Sequence, residues 1–476
     1  MNSVIGMDAY SRSKKMTSDL VQIESLPKYR PSRFNAHTTT TDGTLILYNS
    51  YTGKNCGIPA KFADAAANYL SATGTEGTLD RLGNYLRDNG YIIEESVDED
   101  ARWDSRYGQQ QYRNDIMQLI LLSSEDCNFR CIYCSQHFKR GSMHKSVREG
   151  VLNLIKKKIV KLNGLSVNWF GGEPLLGWDA IEEIAPQAQE LAHMHGASFS
   201  SNVTTNGYLL TPDRSRKMVQ WGILHYQISV DGAAAEHDAH RPLKEGGGTY
   251  AKILENIYAM KEFPDDFHVY LRVNFDRTNK DKLTPLFETY KEKIGSDPRF
   301  QVIFFPVGQW GGPNDAQLDV CGYHESVGAV GALSAEARSI GLNTPSIVES
   351  IKPISSNVCY AARPYNYIVG SDGKLMKCTV VLDTEERNIV GHLAQDGTIQ
   401  LDQDKMAAWI RPYYKTDHMC TKCFFVPVCQ GASCPLPRVV GEERPCPPNK
   451  LSIQQTLVQI WEEKRHTSEA RLVQIR

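Results

Sequence analysis

The spacing of apolar residues along this chain changes character twice. Between residues 33 and 51, RFNAHTTT and GTLILYNSYT are strand-like runs, and Asp42-Gly43 between them is a hairpin turn signal. Pro59 then opens a helical stretch in which Phe62, Ala65, Ala66 and Tyr69 recur at three- and four-residue spacing. A second helix is predicted over TLDRLGNYLRDNG, ending at Gly90, and the strand-like YIIEESV follows. Short strands followed by helices predict a small α+β unit over residues 30–105, preceded by a flexible tail at 1–29. The acidic run Glu94, Glu95, Asp98, Glu99, Asp100 and the polar RYGQQQYR after it are expected to form a linker.

Beyond the linker the period changes. Apolar strand-like runs recur at 116–122, 165–170, 199–206, 224–230, 269–275 and 301–307, separated by helical patterns such as VREGVLNLIKKKIVKL. Alternating strand and helix implies parallel βαβ units. The fold class is α/β, with a partial (β/α)6 barrel over 112–320 whose chemistry belongs on the loops after its strands. Lys156, Lys157 and Lys158 are expected on the solvated face of the first barrel helix. Residues 310–355 are rich in Gly and Ala and are expected to be connective. A cysteine-bearing region follows at 350–450, and one helix is predicted over 451–476.

Composition narrows the function. A chain of 476 residues suggests two to four domains, and a net charge of −2 removes a globally basic nucleic-acid or membrane-surface binder as the default. Neither a signal-length apolar segment at the N-terminus nor an apolar run long enough to span a bilayer occurs, so a cytoplasmic location with no membrane partner is expected. In a reducing compartment, clustered cysteines are read as metal ligands in preference to disulfides. Ten of the twelve cysteines fall in short spacings, leaving Cys56 and Cys321 outside them.

Cys127, Cys131 and Cys134 form C-x3-C-x2-C directly after the first barrel strand. Three thiolates leave one metal position open, a feature of reactive sites; a zinc knuckle completed by His137 is the alternative. The spacing, with Tyr133 just before the last cysteine, resembles the cluster loop of the radical S-adenosylmethionine (radical SAM) superfamily. That resemblance implies a [4Fe-4S] cluster on the three cysteines, SAM chelated at the fourth iron, and a 5′-deoxyadenosyl radical that abstracts hydrogen. Later strand ends match the family in order. Gly171-Gly172-Glu173-Pro174 resembles the GGEP turn, where glycines permit close backbone approach to a ligand. TTNG at 204–207 and QISVDG at 227–232 follow. By resemblance Gly172 and Glu173 face the SAM amine, Ser229 the ribose and Arg241 the carboxylate, with Tyr133 also a SAM contact. Asn206 and Asp231 are either strand-ending Asx turns or ligand contacts. Arg272 and Asn274 either line the cavity or form a cross-strand polar pair.

The C-terminal cysteines resemble the SPASM domain of radical SAM enzymes that modify peptides and proteins. The resemblance implies an outer auxiliary cluster on Cys420, Cys423, Cys429 and Cys446, and an inner one on Cys359, Cys378 and Cys434. Residues 430–433 make that last spacing one residue longer than the family pattern. Three ligands leave the inner cluster with an open iron, or with Cys321 or a non-cysteine group as its fourth ligand. Cys56 is read as a buried hydrophobe.

The resemblance therefore implies three [4Fe-4S] clusters and SAM, supplied with electrons by a flavodoxin or ferredoxin. The N-terminal unit resembles, in pattern, a winged-helix-like leader-recognition element, which takes the leader of a ribosomal precursor peptide as an added strand; candidate edges lie in 38–51. The expected function is peptide maturation by a thioether or carbon–carbon cross-link. The alternatives are oxidation of a protein side chain, as in anaerobic sulfatase maturases, and a non-catalytic metal-bound scaffold or electron carrier.

Overall fold

The computed structural model describes residues 26–71, 75–138, 140–353, 359–382, 385–432, 434–441 and 444–466. Most of the proposed tail, residues 1–25, and residues 467–476 of the C-terminal segment lie outside the described residues.

The N-terminal part contains two small sheets. β1 (Lys28–Pro31) lies between β5 (Thr75–Glu76) and β6 (Ile92–Glu94). β3 (Leu45–Asn49) lies between β2 (Asn35–Thr39) and β4 (Asn55–Ile58). The β2–β3 hairpin closes as its sequence requires: Asp42 accepts bonds from the Thr40 hydroxyl and the Thr44 amide, and Gly43 takes φ +79°. Helices α1 (Ala60–Ser71) and α2 (Arg81–Asp88) follow the expected pattern. β3 is central and wholly buried, so the free edges of its sheet are β2 and β4.

The expected linker is instead a helix, α3 (Glu99–Gln111), and residue 105 falls within it. Asp98 caps its N-terminus by accepting from the Ala101 amide, and Glu99 and Asp100 complement the first turn's dipole. Trp103, Tyr107 and Gln111 form a buried stripe at four-residue spacing. The expected tail likewise ends in structure, because Lys28 and Tyr29 belong to β1.

All six barrel strands are present: β7 (Ile116–Ser124), β8 (Gly164–Gly171), β9 (Ser198–Thr205), β10 (Ile223–Ser229), β11 (His268–Phe275) and β12 (Phe300–Pro306). They run parallel in sequence order. Helices α4 (Lys145–Lys158), α5 (Trp178–Met194), α6 (Pro212–Gln220), α7 (Ala234–His240), α8 (Tyr250–Lys261) and α9 (Thr284–Lys293) connect them. Lys156, Lys157 and Lys158 are exposed in the last turn of α4.

Alternation along the strands separates two environments. Leu271, Val273 and Phe275 of β11 pack with Leu286 and Phe287 of α9, whereas Arg272 and Asn274 point to the opposite, inner face. The region expected to be connective holds a further helix, α10 (Tyr323–Ser339), packed against β12 through Leu333 and Ala337. Its glycines and alanines blunt the amphipathic pattern by which a helix is recognised.

The cysteine-bearing region extends the barrel sheet. β13 (Asn366–Val369) pairs parallel with β7, and β14 (Lys374–Met376), β15 (Ile389–Leu393) and β16 (Ile399–Leu401) continue antiparallel to give ten strands. Short helical turns carry the last cysteines, and the C-terminal helix (Ile453–His466) lies across β2 and β3. No helix among the described residues is long and apolar enough to cross a membrane.

Candidate active site

The loop after β7 carries Cys127, Cys131 and Cys134, whose thiols are electrostatic neighbours of one another. Burial pushes Cys127 up to about 12 and Cys131 to about 11, so as free groups they hold their protons; ligation to a metal displaces them. The Cys127 sulfur accepts from the Phe129 amide at 3.3 Å and the Asn206 side-chain amide at 3.8 Å. His137 is exposed and is not among the groups acting on these thiols.

The GGEP turn leans on this loop. The Gly172 amide donates to the Ser124 carbonyl at 3.0 Å, and the Glu173 amide donates to that of Asp126 at 2.9 Å. A Cβ on Gly171, which has φ +134°, would lie 2.0 Å from the Ser124 carbonyl oxygen, and one on Gly172 would lie 2.4 Å from that of Asp126. The close approach expected toward a ligand is therefore, in the protein itself, an approach to the backbone of the cysteine loop.

Glu173 is fully buried and accepts from the Leu175 amide at 2.9 Å, the Thr205 hydroxyl at 2.7 Å and the Asn206 amide at 2.7 Å. Burial raises its pKa, against those three donors. The Asn206 carbonyl oxygen accepts from the Tyr208 amide, an Asx turn, while its amide group reaches Cys127 and Asn128. Asn206 thus forms the Asx turn expected of it and ties that turn to the cysteine loop.

Asp231 is the polar centre of the opposite wall. Its carboxylate accepts from the Tyr133 hydroxyl and from the Asn274 backbone and side-chain amides at 3.0 and 2.9 Å, with Arg241 at 3.7 Å. Arg241 also donates to the Tyr133 oxygen at 2.5 Å, and its Nε is buried without a hydrogen-bond partner among the described residues. Arg272 donates to Asn274 at 2.8 Å, so the two pair along one strand, not across strands. Ser229 is buried and sits in register with Arg272.

The other cysteines form two further groups. Cys359, Cys378 and Cys434 are electrostatic neighbours. The longer spacing before Cys434 includes Gln430 and Gly431, both at positive φ. Cys321 is removed from this group: the charged residues acting on its thiol are Glu325, Lys280 and Arg277. Cys420, Cys423, Cys429 and Cys446 line one cleft of about 260 Å3, counted out to open solvent. Lys450 Nζ lies 3.3 Å from Cys446 Sγ and Arg438 Nη2 3.6 Å from Cys420 Sγ, so cations face the thiols. Among the described residues no three His, Cys, Asp or Glu side chains converge on a point that would hold a single metal ion. Cys56 is buried in the core of the N-terminal unit, as expected for a hydrophobe.

Two features escaped the sequence. Buried Glu125 accepts from Arg140 at 3.0 and 2.6 Å and from the Ser371 amide and hydroxyl at 2.8 and 2.7 Å, joining the cysteine loop to the β13–β14 turn. Lys377, buried beside Cys378, donates to the carbonyls of Arg363 and Asn366. Neither partner set is local in the chain.

The profile of the radical SAM superfamily matches residues 121–288, which contain the cysteine loop and the strand ends just described. This segment is a radical SAM domain. Its sequence is 26% identical over 163 residues to the radical SAM cyclopropyl synthase TigE of Paramaledivibacter caminithermalis, covering 31% of this chain and 33% of that protein. It is also similar to the cysteine-type anaerobic sulfatase-maturating enzyme of Clostridium perfringens, at 22% identity over 329 residues, covering 66% of this chain and 87% of that enzyme. The chain spans about a third to a half of the length of the first curated relatives it matches. Among solved structures, the fold resembles native anSMEcpe with bound AdoMet and Cp18Cys peptide, with TM-score 0.53 and 18% identity over 74% of this chain and 97% of that one. Radical SAM enzymes use a [4Fe-4S] cluster and SAM. The gathered thiols of the radical SAM domain and the orphaned Arg241 Nε fit that pair.

Proposed function

We propose that the protein is a radical SAM–SPASM maturase that cross-links a ribosomal precursor peptide, forming a thioether or carbon–carbon bond. The observation that carries the reading is the joint arrangement: a three-thiol loop at the mouth of the barrel, two further thiol groups, and a small sheet with open edges in one chain. Cys127, Cys131 and Cys134 would hold the SAM cluster, which with SAM supplies a 5′-deoxyadenosyl radical.

Around it, Glu173 presents a carboxylate for the SAM amine and is fixed by its three donors. Arg241 offers Nε to the SAM carboxylate while Asp231 and Tyr133 hold its guanidinium in place. Cys420, Cys423, Cys429 and Cys446 would bind the outer cluster, and Cys359, Cys378 and Cys434 the inner one, for three [4Fe-4S] clusters in all. The leader would add to a sheet edge. Within 38–51 only the β2 side qualifies, since β3 is paired on both sides. Bonds at Phe34–Ser50 and Thr40–Thr44 fix the register, so that His37 and Thr39 turn their amides and carbonyls outward.

Oxidation of a folded protein's side chain is the second reading, favoured by the length of the match to the sulfatase maturase. Against it, Thr379 stands where those relatives carry an aspartate, and its hydroxyl is held by Tyr360 at 2.6 Å.

Anaerobic reconstitution tests the reading. Uptake of about twelve irons, release of 5′-deoxyadenosine under reduction, and loss of two hydrogens from a co-expressed short peptide, dependent on residues 30–105, are expected. A colourless, zinc-loaded protein, or an unmodified peptide beside full SAM cleavage, argues against it.

A further inference from the structure

Inside the barrel one cation lacks the carboxylate partner that several other part-buried arginines have. Arg140, Arg148 and Arg299 are buried to a similar degree or less deeply, and each pairs with a carboxylate at 2.6 to 2.8 Å. Arg272 has no carboxylate within 4.0 Å among the described residues, although burial disfavours its charge. Its Nε is engaged by Asn274 at 2.8 Å, and its guanidinium carbon lies 4.2 Å from the centre of the Phe305 ring. These two contacts fix the plane of the guanidinium and leave both terminal NH2 groups without a protein partner among the described residues. Asp231 acts on Arg272 only from beyond ion-pair distance, and a largely buried, immobilised cation whose terminal NH2 groups meet no protein acceptor is stabilised by an anion placed against them. Its place is informative as well: Arg272 is the register partner of Ser229 and an electrostatic neighbour of Tyr133 in the cysteine loop. Phe305 is 41% exposed at the strand's C-terminal end, facing the barrel mouth.

We propose that Arg272, held by Asn274 and Phe305, is an anion subsite that receives a carboxylate of the peptide substrate and so sets which residue lies beside the SAM cluster. The paired NH2 groups suit a bidentate carboxylate, which an ammonium would bind less selectively. The proposal rests on the radical SAM peptide-modifying reading, in which Arg241 already serves the carboxylate of SAM. The substrate side of the subsite is therefore an Asp or Glu side chain or a C-terminal carboxylate.

The test uses reconstituted, SAM-loaded enzyme and two probes, N-acetyl-glutamate methylamide and its glutamine counterpart, in equilibrium dialysis. Wild type should retain the glutamate probe at least about fivefold more strongly. Arg272→Gln should abolish that preference and Arg272→Lys should keep part of it, with iron content and SAM affinity unchanged in both. Equal retention of the two probes by wild type, or a preference surviving in Arg272→Gln, overturns the proposal. A drop of tenfold or more in SAM affinity in Arg272→Gln would give the carboxylate to SAM and likewise overturn the substrate subsite. Release of 5′-deoxyadenosine without any peptide is scored separately, so failure of the radical SAM reading is distinguishable from failure of the subsite.

Discussion

His237 is fully buried between the Asp231 amide, which donates to its Nδ1 at 3.1 Å, and the Thr249 hydroxyl 3.0 Å from its Nε2. An accepting Nδ1 puts the proton on Nε2, and the Thr249 hydroxyl in turn donates to the Arg241 carbonyl at 2.8 Å. The neutral ring thus connects Asp231 and Arg241, the two residues that fix Tyr133. Burial, with Arg241 nearby, lowers its pKa to about 4 from 6.5. Because the folded value lies below the unfolded one, this group's contribution is complete above pH 6.5 and is lost as pH falls toward 4. By pH 5 about 2 kcal/mol should be gone. Urea midpoints of wild type should fall between pH 7.5 and pH 5 by more than those of His237→Gln, which keeps both hydrogen bonds and cannot titrate; equal slopes would refute the assignment. At this scale the sequence was informative about cysteines and left Asp231 open between a strand-ending turn and a ligand contact. The spacings C-x3-C-x2-C and GGEP are local, whereas the partners that turn Asp231 from a turn residue into a hub, Tyr133 and Asn274, lie 98 and 43 positions away.

Among the elements, the junction of β7 with β13 has the largest consequence for the cysteine loop. β13 adds to the barrel through Ile120–Ile368 and neighbouring pairs, and the turn that follows it delivers Ser371 to Glu125, two residues before Cys127. The position of the loop therefore depends on a strand far along the chain. Replacing Glu125 by Ala leaves the Ser371 donors without their acceptor and strips Arg140 of its 2.6 Å partner, leaving it Asp372 at 3.6 Å, at a cost of about 2 kcal/mol. SAM affinity should fall by tenfold or more, and Glu125→Gln, which still accepts, should lose less. Dialysis against labelled SAM with iron counted in parallel measures both, and unchanged affinity in Glu125→Ala would show that the junction does not position the loop. Strand existence was legible because apolar runs of this length bounded by turns are strong signals. The pairing of β13 with β7 was not, since it is set by long-range register. Helix α3 was missed because its Trp103–Tyr107–Gln111 stripe is embedded in a strongly polar segment, although the Asp98 cap was present to be read.

At the scale of the whole molecule, the small N-terminal sheet and the four-cysteine cleft share cores. Ile46 and Tyr48 of β3 pack with Phe425, Val428 and Cys429 and with Leu457, Ile460 and Trp461 of the C-terminal helix. Phe34, Trp103 and Tyr107 pack with Tyr414, Cys420 and Val426. Polar ties reinforce the seam: Tyr414 donates to Asp104 at 2.6 Å, the Ser50 hydroxyl donates to the Phe424 carbonyl, and Arg33 donates to that of Thr421 at 3.1 Å. Cys420 and Cys429 line the cleft and belong to these cores, so whatever orders the cleft also orders the sheet beside it. Where ligation is linked to folding, ligand binding energy appears as stability of the surrounding structure. Iron removal, or Cys446→Ser at the rim of the cleft and outside both cores, should therefore speed amide exchange in 35–58 and 453–466 by roughly tenfold or more, with the barrel strands β8–β11 unaffected. Cys127→Ala, which alters only the loop after β7, should leave exchange in 35–58 unchanged. Equal protection in iron-loaded and iron-free protein would uncouple the two. On the proposed reading, coupling of the expected size would mean that a leader added to the edge of β2 meets an ordered sheet only when the outer thiols are ligated, so that peptide capture would depend on completion of the metal centre.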